Sequence, residues 1–306
     1  MAKGRATAIG FGAILLWALL ALFTVGSAPV PPLQLNAVTF AIGGAIGVIW
    51  ILATDGFAAL RGIPLRVYAF GTAGLFGYHL LYFSALRLAP AAEAGLIAYL
   101  WPLLIVLFSG LLPGERLNRL HVVGAALAFA GAALIVGGRL VSTGVTMTAA
   151  ALLGYGLAFL CALTWSGYSI LSRRLGDVPT ASVAVFCLAT SVLSALAHLA
   201  VEDTVWPATG TGWGALIALG LGPVGLAFYV WDVGVKKGDI QLLGTASYAA
   251  PLLSTLALVL SGLATPDWRL GAAAVLITGG AALAARASAT GKHTGLRSSR
   301  GARSLP

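Results

Sequence analysis

The sequence predicts an all-α integral membrane protein: ten transmembrane helices built as two five-helix repeats of inverted topology, with both termini in the cytoplasm. Three observations carry this. Charged residues are 9% of the 306 and hydrophobic ones 59%, so no soluble domain of useful size fits between the apolar stretches. Those stretches run to about 20 residues each, the length that spans a ~30 Å hydrocarbon core as a helix. The basic residues, finally, are segregated by loop.

The ten segments are 7–26, 33–54, 66–87, 91–112, 120–138, 150–172, 180–200, 213–235, 240–262 and 269–287. None alternates apolar and polar residues as a barrel strand would. A span in lipid must satisfy its own backbone hydrogen bonds, which leaves helices. Segment 1 lacks a convincing cleavage site and is followed by nine more, so it is helix 1 rather than a signal peptide.

The net charge of +9 looks like a nucleic-acid signature until it is placed on this topology. Lys3, Arg5, Arg61, Arg66, Arg116, Arg119, Arg173, Arg174, Lys236, Lys237, Arg286, Lys292, Arg297, Arg300 and Arg303 fall on the N-terminal side. Only Arg87, Arg139 and Arg269 fall opposite, so fifteen of the eighteen basic residues share one face. Basic loops stay cytoplasmic. The charge therefore orients the chain in a lipid bilayer, and nucleic acid is excluded as a partner. Cys161 and Cys187 sit inside helices 6 and 7 as buried apolar residues, with no metal-ligand spacing. No metal, cofactor or obligate protein partner is implied.

An internal repeat supplies the inversion. Gly95-Leu-Ile-Ala-Tyr99-Leu-Trp-Pro102-Leu-Leu104 in helix 4 matches Gly244-Thr-Ala-Ser-Tyr248-Ala-Ala-Pro251-Leu-Leu253 in helix 9, five of ten positions identical at an offset of 149. Gly10-Phe11-Gly12 answers Gly154-Tyr155-Gly156, and Gly124-Ala-Ala answers Gly271-Ala-Ala. The division is 1–140 for helices 1–5, 141–288 for helices 6–10, and 289–306 for a basic, Ser-rich tail expected to be disordered. Five helices is an odd number, so the second half enters the membrane with opposite polarity, an arrangement that places transport sites at midplane between the halves. Pro102 and Pro251 stand about ten residues into their helices, roughly 15 Å deep at 1.5 Å per residue. Each removes a backbone hydrogen bond there, and both are candidate conformational hinges. Inherited packing kinks are the alternative reading.

Ionisable groups in a bilayer are costly and usually functional, yet no Lys, Arg, Asp or Glu lies near a helix centre. Phosphorylated substrates, which need an Arg or Lys, are not expected as cargo. His79 is the exception. It could meet a substrate carboxylate, carry a proton, or sit as a neutral imidazole bonded to a backbone carbonyl. Tyr78 and Tyr82 are spaced i,i+4 and share its face. Asp232 is too near the cytoplasmic surface to partner His79 and is better matched to Lys236. Glu93 at the outer start of helix 4 suits a helix N-terminus, with Arg87 as its rim partner, and His198 is placed near Glu202 at an outer helix end. Trp50, Trp206, Trp213 and Trp268 fit interface belts. Trp17, Tyr78, His79, Tyr82, Tyr99, Trp101, Trp165 and Tyr248 lie deeper and are the candidate substrate contacts, rings for stacking and a few polar tips for orientation. Gln241, Thr245 and Tyr248 form a polar stripe consistent with a watered path. Glycine faces at 43–47 and 124–131 suit close helix packing or a dimer contact.

The 5+5 repeat, the Tyr-x-x-Pro motifs of helices 4 and 9, and Gly114-Glu115-Arg116 before a glycine-rich helix 5 resemble the EamA-type drug/metabolite transporter superfamily, and within it the YddG-type exporters of aromatic amino acids. One departure stands out: Thr265-Pro266-Asp267 follows helix 9 where a second Gly-Glu-Arg would stand. The resemblance implies an inner-membrane exporter with a central cavity lined from both halves. Small neutral or zwitterionic solutes, amino acids foremost, are then the expected substrates, moved by alternating access down their gradient. The cavity would open to the cytoplasm to load and then outward to release. A broader drug or metabolite exporter, coupled to protons through His79, is the alternative. An intramembrane enzyme would need paired acids or a metal cluster that the sequence does not provide.

Overall fold

The computed structural model describes residues 1–54, 56–89, 91–137, 148–175, 177–262 and 268–301. They form ten helical spans: α1a (Lys3–Ala18) with α1b (Leu20–Gly26), α2 (Pro32–Ala53), α3 (Leu65–Leu88), α4a (Ala91–Ala98) with α4b (Trp101–Ser109), α5 (Arg119–Gly137), α6 (Ala149–Arg174), α7 (Ser182–Val201), α8a (Gly210–Leu221) joined to α8b (Ala227–Lys237) by a π-helical turn at Gly222–Leu226, α9a (Ile240–Ala246) with α9b (Ala249–Leu260), and α10 (Trp268–Gly301). Five spans, α1, α2, α6, α7 and α8, are long and apolar enough to cross a membrane by length and composition.

The helix boundaries follow local chemistry. Side chains of Thr148, Thr209 and Asp239 cap α6, α8a and α9a by accepting the N–H groups of Ala151, Gly212 and Leu242. At α2 the chain enters through Pro31 and Pro32, and the cap comes from elsewhere. Glu202, at the end of α7, accepts the N–H of Leu33 at 3.0 Å and of Gln34 at 3.2 Å. His198 bonds the same carboxylate at 3.0 Å, so the outer-end pairing expected for these two residues is a clamp between α2 and α7. The tail does not begin at a helix end: α10 continues through Gly301, and no proline interrupts the sequence between residue 268 and Gly301.

The repeat is visible in helix ends. Leu88 closes α3 and Lys237 closes α8b; Ala91 opens α4a and Ile240 opens α9a, each pair 149 apart. It is also visible in packing. α1a packs on α8b and α6 on α3, while α2 pairs with α7 and α5 with α10. An axis in the membrane plane that exchanges the halves requires this pattern. The glycine faces are used inside the bundle: Gly43 abuts Gly225, Gly124 abuts Gly280, and Gly10 abuts Gly234. Both cysteines are buried thiols. Trp50, Trp206, Trp213 and Trp268 are all exposed at span ends, the belt positions expected of them.

Candidate functional site: an aromatic cavity between the repeats

The two proline-bearing spans break where the sequence places the hinges. Helix stops at Tyr99–Leu100 in span 4 and at Ser247–Tyr248 in span 9, restarting as α4b and α9b just before Pro102 and Pro251. Neither proline can donate to the carbonyl four residues back, so the preceding turn is left without a regular bond.

Four indoles meet beside the first break. Trp17 on α1a, Trp101 at the start of α4b, Trp165 on α6 and Trp231 on α8b have every pairwise centroid separation between 5.1 and 6.4 Å. Trp101, Trp165 and Trp231 are buried; Trp17 keeps some exposed surface. The Trp17 indole N–H donates to the Pro223 carbonyl at 3.1 Å and that of Trp231 to the Ser169 hydroxyl at 3.1 Å. These two donors are committed to the protein.

Against this floor stands a wall. On α3, Tyr78 stacks parallel on Tyr82 at 6.1 Å, and Tyr78 leans on Trp165 at 5.4 Å. His79 meets Phe40 edge-on at 5.0 Å, with Phe83 and Phe228 at 6.2 and 6.3 Å. Tyr78, His79, Tyr82 and Tyr99 each retain accessible surface although they lie deep within the bundle. Accessible surface at the centre of a helical bundle is the lining of a cavity. His79 Nδ1 lies 2.7 Å from the Leu75 carbonyl. A carbonyl only accepts, so Nδ1 carries the proton, and in the neutral ring Nε2 is then a hydrogen-bond acceptor. The walls named here carry no formal charge.

The cytoplasmic side is closed. Glu115 of the Gly-Glu-Arg motif pairs with Arg173 at the end of α6 and with Lys3 at 3.6 Å; Lys3 also lies 3.9 Å from Asp239. Arg173 donates to the carbonyls of Val235 and Gly238 at 2.9 and 2.8 Å, and the Asp239 N–H donates to the Thr7 hydroxyl at 2.8 Å. Spans 1, 6, 8 and 9 and the loop after α4b are thereby tied together. Next to this network α4b packs on α9a; no comparable packing of α4a on α9b occurs among the described residues. The cavity is thus sealed inward in this state, one of the two states that alternating access requires.

Of the eight candidate contacts, Trp17, Tyr78, His79, Tyr82, Trp101 and Trp165 are brought into one ring network, and Tyr99 lies within electrostatic range of Tyr82. Tyr248 is elsewhere. It is fully buried among Ala128, Ala132, Ala273 and Ile277, packs on Phe129 at 5.8 Å, and its hydroxyl accepts the Leu103 N–H at 3.0 Å. Gln241 and Thr245 are buried with it, so that stripe is a packed seam rather than a watered path. Asp232 is held by Lys236 at 2.9 Å and by the Thr180 hydroxyl at 2.7 Å, as its depth required. The side chains of Glu93 and Arg87 lie outside the described residues.

Phe40, Phe228 and Trp231 were missed. A signal existed for two of them: the 149-residue offset carries His79 onto Phe228 and Tyr82 onto Trp231. A separate crevice at the cytoplasmic ends of α3 and α6, lined by Arg66, Val67, Phe70, Leu171, Arg174 and Leu175, does not belong to the aromatic cavity. Among the described residues no group of three or more His, Cys, Asp or Glu is placed to hold a metal.

Comparison with known proteins agrees with this architecture. The profile of the EamA-like transporter family matches residues 5–137 and again 152–286, one match per repeat. The aromatic amino acid exporter YddG of Ancylobacter novellus is 55% identical over 285 residues, covering 93% of this chain and 98% of the relative. The protein of the same name from Escherichia coli K12 is 27% identical, over 83% and 88% of the two chains. The pseudopaline exporter CntI of Pseudomonas aeruginosa is 30% identical over 66% and 68%. A crystal structure of a protein 54% identical superposes with a TM-score of 0.86, over 92% of this chain and 98% of the other. With each half matched separately and the whole fold shared, the chain belongs to the EamA-like transporter family.

Proposed function

We propose that this protein exports small neutral or zwitterionic solutes, aromatic amino acids foremost, across the inner (cytoplasmic) membrane by alternating access. One observation carries the reading: a cavity walled by Trp17, Tyr78, Tyr82 and Tyr99, with Phe40 and Phe228 buried behind His79, its single ionisable base, and no formal charge on the named walls. Flat apolar walls suit an aromatic side chain, because ring stacking adds ~0.5–1.5 kcal/mol per pair beyond burial. Relatives named as aromatic amino acid exporters support the same substrate class.

The polar ends of the substrate meet what is left. The hydroxyls of Tyr82 and Tyr99 donate to the carboxylate, and His79 Nε2 accepts from the ammonium. A neutral His79 is therefore better suited to the amine end than to the acid end. Pro102 and Pro251 act as hinges, with α4 and α9 bending in opposite senses as the cavity opens to one side and closes to the other. Without a carboxylate in the wall, flux follows the solute gradient and needs no proton. The experiment is uptake of labelled aromatic amino acids into liposomes holding the purified protein, with and without an imposed pH gradient. Saturable flux without the gradient supports a facilitator. Flux that requires it makes His79 a proton carrier, and no amino acid flux at all rejects the substrate class in favour of other metabolites.

A further inference from the structure

The two proline breaks are identical in sequence pattern but not in surroundings. Gly244 on α9a faces α4b so closely that a Cβ there would stand 3.1 Å from the Cγ2 atoms of Ile105 and Val106 and 3.2 Å from the Pro102 carbonyl oxygen. Its repeat mate Gly95, on α4a, would place a Cβ with no heavy atom within 4 Å among the described residues. The tyrosines differ in the same sense. Tyr248 is buried with its hydroxyl on the Leu103 N–H, one of the first-turn donors that a helix start leaves without an intrahelical partner. Tyr99 keeps part of its surface accessible, and its hydroxyl makes no hydrogen bond among the described residues.

A buried glycine whose Cβ position is unfilled among the described residues and a tyrosine with an idle hydroxyl need no explanation singly. Together they are the unmade copy of a contact made 149 residues later. Applying the offset to the made contact gives its counterpart: Pro102 maps to Pro251, Leu103 to Leu252 and Ile105 to Ser254. We infer that Gly95 and Tyr99 form the outer gate. On turnover α4a closes on α9b, Gly95 seats against Pro251 and Ser254, and the Tyr99 hydroxyl takes the Leu252 N–H while Tyr248 releases that of Leu103. The inference rests on the alternating-access reading above but not on the identity of the substrate. It gives Tyr99 a second duty beside its place in the cavity wall, and it gives Gly95 a function that no contact in the present state reveals.

The test uses the full chain in liposomes. A Gly95→Cys, Ser254→Cys pair is oxidised and the linked peptide sought by mass spectrometry, with a Gly244→Cys, Ile105→Cys pair as the control for the gate already closed. A disulfide forms only where Cα atoms approach within about 7 Å. The expected result is a reversible cross-link for both pairs, the first stopping flux until reductant is added. A control pair that links while the Gly95–Ser254 pair never does overturns the proposal. A second variant guards against a misfolded first. Gly95→Leu starts from a Cβ position that no heavy atom approaches within 4 Å among the described residues; the expected protein is monodisperse and binds solute from outside as wild type does, while flux falls at least about tenfold because the outer gate cannot shut. Flux within about twofold of wild type would equally overturn it. Cross-linking without any measurable flux in the wild-type protein would uphold the gate and reject the transport reading instead.

Discussion

Trp17 donates its indole N–H to the carbonyl of Pro223 at 3.1 Å, across 206 residues of sequence. The π-helical turn at Gly222–Leu226 disturbs the regular ladder of span 8, and this bond satisfies a carbonyl there while fixing α1a to that span. Replacing Trp17 by Phe keeps a ring in the cluster but leaves the carbonyl without its donor. Hydrogen bonds within bundles in lipid are worth about 1 kcal/mol, so thermal unfolding in detergent should shift down by a few degrees. An unchanged midpoint would mean that the Pro223 carbonyl finds another donor.

The cytoplasmic closure should weaken when its central ion pair is cut. In a Thr245→Cys background the thiol is buried on α9a, which packs on α4b at the closure, and should react slowly with a membrane-permeant maleimide. Adding Glu115→Gln removes the partner shared by Arg173 and Lys3. Labelling should then accelerate several-fold. An equal rate in both backgrounds would assign the closure to the indole floor alone.

His79 should discriminate by the amine. His79→Phe preserves ring volume beside Phe40 and removes the acceptor. A hydrogen bond to a charged group is worth about 1.5–3 kcal/mol, so an aromatic amino acid should bind at least about tenfold more weakly. Its analogue lacking the amine should bind unchanged. Equal losses for both ligands would reduce His79 to a packing residue.

Asp232 and Lys236 form a buried pair, with side chains 1% and 4% exposed. Removing one partner, as in Lys236→Met, strands a charge and should cost about 3–5 kcal/mol, whereas Asp232→Leu with Lys236→Met should recover much of that. Chemical denaturation of the two variants decides it. A double variant no more stable than the single one would show that Thr180 and the Val178 carbonyl matter more than the pair.

Span number, orientation and the two breaks were legible because hydropathy, loop charge and proline act locally. Tyr78, His79 and Tyr82 were legible because a polar-aromatic face in lipid must turn inward, and Trp17 because it lies too deep for an interface belt. Tyr248 was not, for a physical reason. An inverted repeat writes the same residues at both gates, and only the conformation decides which gate is made. Sequence identity between Tyr99 and Tyr248 therefore argues for one shared role, while the closed cytoplasmic side gives them different ones. The closure itself was half visible. Glu115 stood in a recognised motif, but its partner Arg173 lies 58 residues away in the other half, and nothing in local spacing joins them. Phe228 and Trp231 were written in the offset from His79 and Tyr82, a relation that becomes compelling once helix ends confirm a constant register.

The indole floor has an optical consequence. Four transition dipoles packed with centroids 5.1 to 6.4 Å apart lie close enough for exciton coupling. They are contributed by spans 1, 4, 6 and 8, which cannot all keep these separations when the cytoplasmic side opens. The circular dichroism of the folded protein should carry exciton structure from this cluster, beside that of Trp206 and Trp213, which stack on each other at 5.3 Å at the span ends. Its collapse and return would time each inward opening in unlabelled protein, with no reporter dye attached.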